Sequence, residues 1–294
     1  MKLRFLSMVT LATLVAVASV AAAAPKVTPK AAAKVTVTPR SARPGDPVLV
    51  TVTGVKGTPD GKARGEALVF FAAKTGYQAV FAVPIDAKDT PITVEIDGIA
   101  KPQIVQVRQV TFPDAKVVVE DEMANPPKAE RDRIDADNAA IIAAVGKANG
   151  DPQFARAFRR PFGKVTSGFG EWRTFNDGHR SQHLGLDLAA AEGSKVIAIN
   201  AGTVTLVRDC FLAGNVVVVA HGGGIASAYY HLSKTSVAEG DVVKLGAVLG
   251  GAGKTGRATG PHLHLSVRVP GGFIDPAAFM KLRLAPAAPK TARK

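Results

Sequence analysis

Two histidines stand two apart in HLHLS at 262–266, inside an apolar run that reads as a strand. Alternate strand residues share a face, so His262 and His264 point the same way and can supply one metal ligand and one neighbour for the water beside it. A chance H-x-H on a solvated face is the competing reading. HLGLDL at 183–188 adds an imidazole and a carboxylate, His183 and Asp187, separated by three residues. Mixed nitrogen and oxygen ligation suits zinc in a site that keeps one position open. Taken alone, the two residues read equally well as a hydrogen-bonded structural pair. YYHLS at 229–233 brings His231 as a further imidazole.

These groups are far apart in the chain, so only the fold can bring them together. All six histidines fall in a stretch, 151–282, whose pattern is β: VTSGFG, KVIAINAGTVTLV, NVVVVAHG, ASAYYHLS, DVVKLGAVLGG and HLHLSVRV. Frequent glycines mark turns, and the periodicity predicts a mostly antiparallel β domain. Residues 35–119 carry short β-branched runs such as PVLVTVTG, YQAVFAVPI and IVQVRQVTF, separated by turn-forming stretches such as RPGD. Many strands at that spacing argue for an immunoglobulin-like β-sandwich, with no histidine in it and a spacer or docking role. Between them, 120–150 turns charged and alanine-rich and predicts a helical linker ending at Gly150. The fold class expected is therefore mainly β, two β units joined by a helix.

Taken in order, TSGFG, H-x-G-x-D, G-N-x-V-x-x-x-H-G, Y-x-H-L-S, G-D-x-V and TGRATGPHLHL resemble the lysostaphin and LytM type of peptidoglycan metalloendopeptidases, from about Pro161 to Phe279. The resemblance implies a zinc hydrolase acting on peptide cross-links of bacterial peptidoglycan, with one ion per chain. Its ligands fall on His183, Asp187 and His264, and its catalytic imidazoles on His231 and His262. One imidazole would take the proton of the attacking water, and the other, protonated, would donate to the oxyanion. Asn215, Tyr229 and Arg257 sit in family-like positions near the cleft and are candidate substrate contacts. Glu171 and Trp172 are candidates for the groove lining, His221 reads as structural, and His179 lies outside the motif. Leu265 replaces the aromatic that many relatives carry after the last ligand, and the tyrosine that some place before the first ligand is missing from TFNDGHRSQ. A wall-binding protein that is catalytically silent and activates an amidase is the alternative; relatives of that kind usually lack a ligand.

The ends and the composition bound the setting. MKLRF ahead of LSMVTLATLVAVASVAAAA is the layout of a secretory signal over residues 1–24, which predicts export to the periplasm or cell envelope and no lasting membrane insertion. Residues 25–34 and 283–294, rich in Ala, Pro and Lys, read as flexible basic tails. The formal net charge of +13 drops to +11 without Lys2 and Arg4. Such a charge favours polyanions, and with an export signal and no nucleic-acid motif it points to anionic envelope polymers rather than nucleic acid. Cys210 is the single cysteine, so no intramolecular disulfide is available and stability must come from packed cores.

Overall fold

The computed structural model describes residues 29–176 and 178–287. The expected signal and the outer parts of both expected tails lie outside them. Among the described residues no helix is long and apolar enough to cross a membrane.

The chain is mainly β. Its first unit holds β1 (Pro29–Thr38), β2 (Ser41–Ala42), β3 (Pro47–Val55), β4 (Gly61–Ala63), β5 (Glu66–Ala67), β6 (Phe71–Ala72), β7 (Tyr77–Ala82), β8 (Ile92–Ile96) and β9 (Ile99–Val107). A four-stranded sheet runs β1-β3-β7-β6 and a five-stranded sheet β2-β9-β8-β4-β5. Period-two alternation builds the core between them: Val48, Val50 and Val52 of β3 meet Ile92, Val94 and Ile96 of β8 in one buried cluster. Leu49, Val80 and Ala82, on the opposite face of the first sheet, join a second core that belongs mostly to the C-terminal unit. The two units therefore share apolar packing, reinforced by Ala82 N donating to Pro270 O at 2.9 Å and Asp275 N donating to Gly45 O at 2.8 Å.

β10 (Asp114–Val117), α1 (Asp121–Ala124) and α2 (Lys128–Gly146) follow. The C-terminal unit holds β11 (Val165–Ser167), β12 (Trp172–Phe175), β13 (Arg180–Gln182), β14 (Leu186–Ala189), β15 (Lys195–Ile197), β16 (Gly202–Cys210), β17 (Gly214–Gly222) and β18 (Ile225–Leu232). It ends with β19 (Lys234–Thr235), β20 (Val242–Val243), β21 (Val248–Gly251), β22 (His262–Val269), β23 (Gly272–Ile274) and α3 (Pro276–Phe279). The main sheet runs β11-β14-β22-β18-β17-β16-β20, with β23 on β22, and its pairings are antiparallel. One face packs on the core shared with the first unit. The other face, with Val216, Val218 and Ala228, is covered by Ile141, Ala144 and Val145 of α2. Asp137 anchors that helix from inside, accepting from Arg208 Nε at 2.7 Å and Phe211 N at 2.8 Å.

Three boundaries differ from expectation. Asp114–Val117, expected in the N-terminal sandwich, pairs instead in parallel with Trp172–Phe175 of the C-terminal unit. Strand propensity reports a pleated surface and says nothing of its partner. Residues 29–34, expected in a tail, belong to β1, which pairs with β3. Residues 285–287, also expected in a tail, bond to the β6–β7 hairpin, with Lys74 N donating to Ala285 O and Ala287 N donating to Ala72 O, both at 2.9 Å. Backbone pairing needs no side-chain period, so composition could not reveal either contact.

Candidate functional site

Strand pairing does the assembly. β14 and β22 are neighbours in a register that sets Asp187 opposite His264, and His262 follows two residues away on the same face. His183 arrives from the turn before β14. That turn needs Gly185: a Cβ there would lie 2.6 Å from His264 Cε1 and Nε2 and 2.7 Å from Leu265 O. The middle residue of H-x-G-x-D is thus small because an imidazole lies against its backbone.

His183 Nε2, Asp187 Oδ1 and His264 Nδ1 form a triangle with edges of 3.0, 2.8 and 2.8 Å. The other side of each ring fixes its proton. His183 Nδ1 lies 2.7 Å from Gly168 O, which can only accept, so Nδ1 carries the hydrogen and Nε2 a lone pair. Ser266 Oγ donates to Leu184 O at 2.7 Å and so accepts from His264 Nε2 at 3.0 Å, leaving the lone pair on Nδ1. Burial alone would raise the Asp187 carboxyl, but positive charge placed at His183 and His264 holds it far below the usual carboxylate range. Three lone-pair donors with no proton among them repel one another unless a cation sits between them. A tetrahedral zinc with bonds of 2.0–2.1 Å spaces its ligands by roughly 3.3 Å, a small expansion of this triangle. The donor set fits zinc.

The second carboxylate oxygen, Asp187 Oδ2, accepts from Arg173 Nη2 at 2.7 Å. Arg173 is held in turn by Glu171 Oε1 at 3.0 Å and Ser167 Oγ at 2.8 Å. This clamp turns Oδ1 toward the two imidazoles, a role that a lone Arg in a polar stretch does not advertise in sequence.

Two further imidazoles face the triangle. His231 Nδ1 donates to Thr255 O and His262 Nδ1 to Gly260 O, both at 2.8 Å. In the neutral form each ring therefore presents an unprotonated Nε2, and the rings lie 4.9 Å apart. Burial, with the neighbouring imidazoles His264 and His262 adding to it, pushes His231 down to about 3, so it is neutral near pH 7. His231 adopts φ +59, an uncommon backbone for a residue other than glycine, at an irregular stretch where β18 loses register with β17.

That irregularity corrects one expectation. Simple alternation would put Tyr229 on the face of His231, toward substrate. Instead Tyr229 is fully buried, its hydroxyl accepting from Ile199 N at 2.8 Å, while Tyr230 lines the cavity with its ring 4.9 Å from that of His264. Asn215 does not line the cavity either; its side chain donates to Leu232 O at 2.9 Å and ties two strand ends together. Arg257 does line it, stacked on Phe175. Glu171 borders the groove, whereas the Trp172 ring lies outside it under Arg180 at 4.4 Å. His179 borders the groove without joining the triangle, and His221 is buried elsewhere against Ala201 O and Ser227.

The groove measures about 1330 Å³. One bank is built by the segment before the C-terminal unit: Val117, Val119, Asn125, Arg131, Ile134 and Asn138.

Three donor atoms within reach of one another, beside two further imidazoles in the same groove, make a site of the kind that metal-dependent hydrolysis requires. Residues 181–276 match the model of peptidase family M23, and the chain carries an M23 domain of the lysostaphin and LytM type. The DD-carboxypeptidase/endopeptidase Mpg of Neisseria meningitidis serogroup B is 34% identical over 143 residues, covering 48% of this chain and 31% of that protein. Peptidoglycan DD-endopeptidase ShyB of Vibrio cholerae is 38% identical over 126 residues, 41% of this chain and 30% of the relative. The chain thus spans under a third of the length of these curated relatives. A crystal structure from Pseudomonas aeruginosa assigned to peptidase M23 superposes with a TM-score of 0.63 at 28% identity, over 81% of this chain and 93% of that one.

Proposed function

We propose that this protein is an exported zinc endopeptidase that hydrolyses peptide cross-links of peptidoglycan, with His183, Asp187 and His264 as ligands of one ion. The observation that carries the reading is the triangle of three lone-pair donors beside two imidazoles that in the neutral form each hold an unprotonated Nε2 toward the same cavity. When bound, zinc acidifies water and polarises a carbonyl. The chain's own residues do the rest. Arg173 fixes the carboxylate, Thr255 and Gly260 carbonyls fix the tautomers of His231 and His262, and one of these imidazoles takes the proton of the attacking water. The other, once protonated, donates to the oxyanion, a contact whose removal typically costs ~100-fold or more in rate.

The names of the relatives support peptidoglycan as the substrate, and the signal-like N-terminus supports export. We read the N-terminal unit as an immunoglobulin-like sandwich that spaces or docks the catalytic unit, with 120–150 as the linker, and the basic surface as an affinity for anionic envelope polymers. Zinc content should approach one ion per chain, and His264→Ala should remove metal and activity together. His262→Ala should keep the metal and abolish cutting of purified sacculi. Intact sacculi with zinc-loaded wild type, together with acceleration of a wall amidase, would favour the silent activator instead.

A further inference from the structure

The cations around the groove differ in what they are bonded to. Arg173 is spent on Asp187 and Glu171. Arg257 is not: among the described residues its guanidinium has no hydrogen-bond or ion-pair partner, only the ring of Phe175, with Cζ 4.0 Å from the centroid. It is nonetheless partly buried and borders the same cavity as the metal-site triangle. Burial, then the charge of Arg173, lowers its pKa, so the cation is held there against an electrostatic cost.

Its placement is rigid. Arg257 N donates to Leu212 O at 2.8 Å. The preceding Gly256, at φ +70, leaves no room for a Cβ, which would stand 2.4 Å from Gly214 N and 2.5 Å from Leu212 O. With Cζ over the Phe175 ring and no hydrogen-bond partner among the described residues, the guanidinium keeps N–H groups available to a planar, two-oxygen anion.

We propose that Arg257 is the carboxylate receptor of the groove, which makes the preferred substrate a peptide with a free carboxylate close to the scissile amide. This rests on the peptidase reading of the site. The shared chemistry has two sources in a cross-linked peptide: the free terminal carboxylate of a chain, or the second carboxylate of a diamino-diacid at the link. A bidentate charged pair takes up either one, and its loss leaves a partly desolvated cation unpaired.

The test uses the full zinc-loaded chain and three matched synthetic cross-linked peptides: one with both carboxylates free, one amidated at the terminus, one amidated at the link. Wild type should favour the free form over one of the amidated forms by ~10- to 100-fold in kcat/KM, chiefly through KM, as expected for a charged hydrogen bond. The amidated form that suffers identifies the source. In Arg257→Gln that ratio should fall to within about twofold, and Arg257→Lys should retain part of it, since the charge stays while the fork is lost. Melting curves and zinc content separate this from misfolding. A wild-type ratio near one for both amidated forms, or a ratio undiminished in Arg257→Gln, overturns the proposal while leaving the peptidase reading intact. If wild type cuts none of the peptides, the peptidase reading fails, and the proposal is judged on calorimetric Kd values for the same three peptides. There a preference that Arg257→Gln removes supports it, and equal affinities overturn it.

Discussion

Replacing Gly185 with alanine tests the geometry of the metal site without touching a donor atom. The new Cβ would stand 2.6 Å from His264 Cε1 and Nε2 and 2.7 Å from Leu265 O, where ordinary contact begins near 3.4 Å. The imidazole must therefore retreat by about 0.8 Å. It has little room to do so, because β22 is paired to both β14 and β18 and His264 Nε2 is held by Ser266. Metal sites tolerate distance errors of only about 0.2 Å, so a retreat of that size removes one of three protein ligands. Disturbing the support of a ligand typically costs ~10- to 100-fold in metal affinity, and forcing an extra methyl into a packed site costs about 1–3 kcal/mol of stability. Competition against a chromophoric chelator reads the first, and chemical denaturation of the metal-free protein reads the second. Gly150→Ala is the control, since a Cβ there meets nothing within 4 Å and its φ of −74 suits any residue. Wild-type zinc affinity in Gly185→Ala would show that the ion does not sit between His183, Asp187 and His264.

Asp137→Ala should lower stability by about 2 kcal/mol, because two donors, Arg208 Nε and Phe211 N, lose a buried carboxylate. Calorimetry should show a melting point lower by roughly 4–8 °C, and an unchanged one would deny the helix its anchor. Acid should destabilise the fold in a defined window. Burial lowers His221 to about 4, so the unfolded chain, with an ordinary pKa near 6.5, takes up the proton first. Stability is then full above about pH 6.5 and falls as pH drops toward 4, by about 3 kcal/mol from this residue. Urea midpoints between pH 7.5 and 4 should show that slope, and His221→Gln should make it shallower, the remainder coming from His231 and His264, which are lowered as well; an equal slope in the variant would refute the assignment.

His183, Asp187 and His264 were legible as candidates because few residue types can hold a metal or move a proton near pH 7; the H-x-H spacing announced only a shared face, and the choice among the imidazoles came from the family resemblance. The mainly β character was legible through alternation in runs such as ITVEI. What escaped depended on distant partners or local irregularity. Tyr229 and Tyr230 keep regular alternation along β22, and it is His231, at φ +59, that leaves the face of Tyr229 for that of Tyr230, which no propensity at that position signals. Arg173 reads as an ordinary surface arginine until β14 brings Asp187 within 2.7 Å. Strand β10 and residues 285–287 show no preference for a partner, and each finds it through backbone bonds across the chain.

The bank of the groove contributed by Val117, Ile134 and their neighbours lies outside the stretch that matches the family model. The triangle and this bank of the groove thus come from different stretches of one packed chain. Substitutions on the groove side of α2 would reshape that bank while His183, Asp187 and His264 stay put, whereas cutting the chain back to 151–282 would also uncover the apolar face of Val216, Val218 and Ala228 that α2 covers.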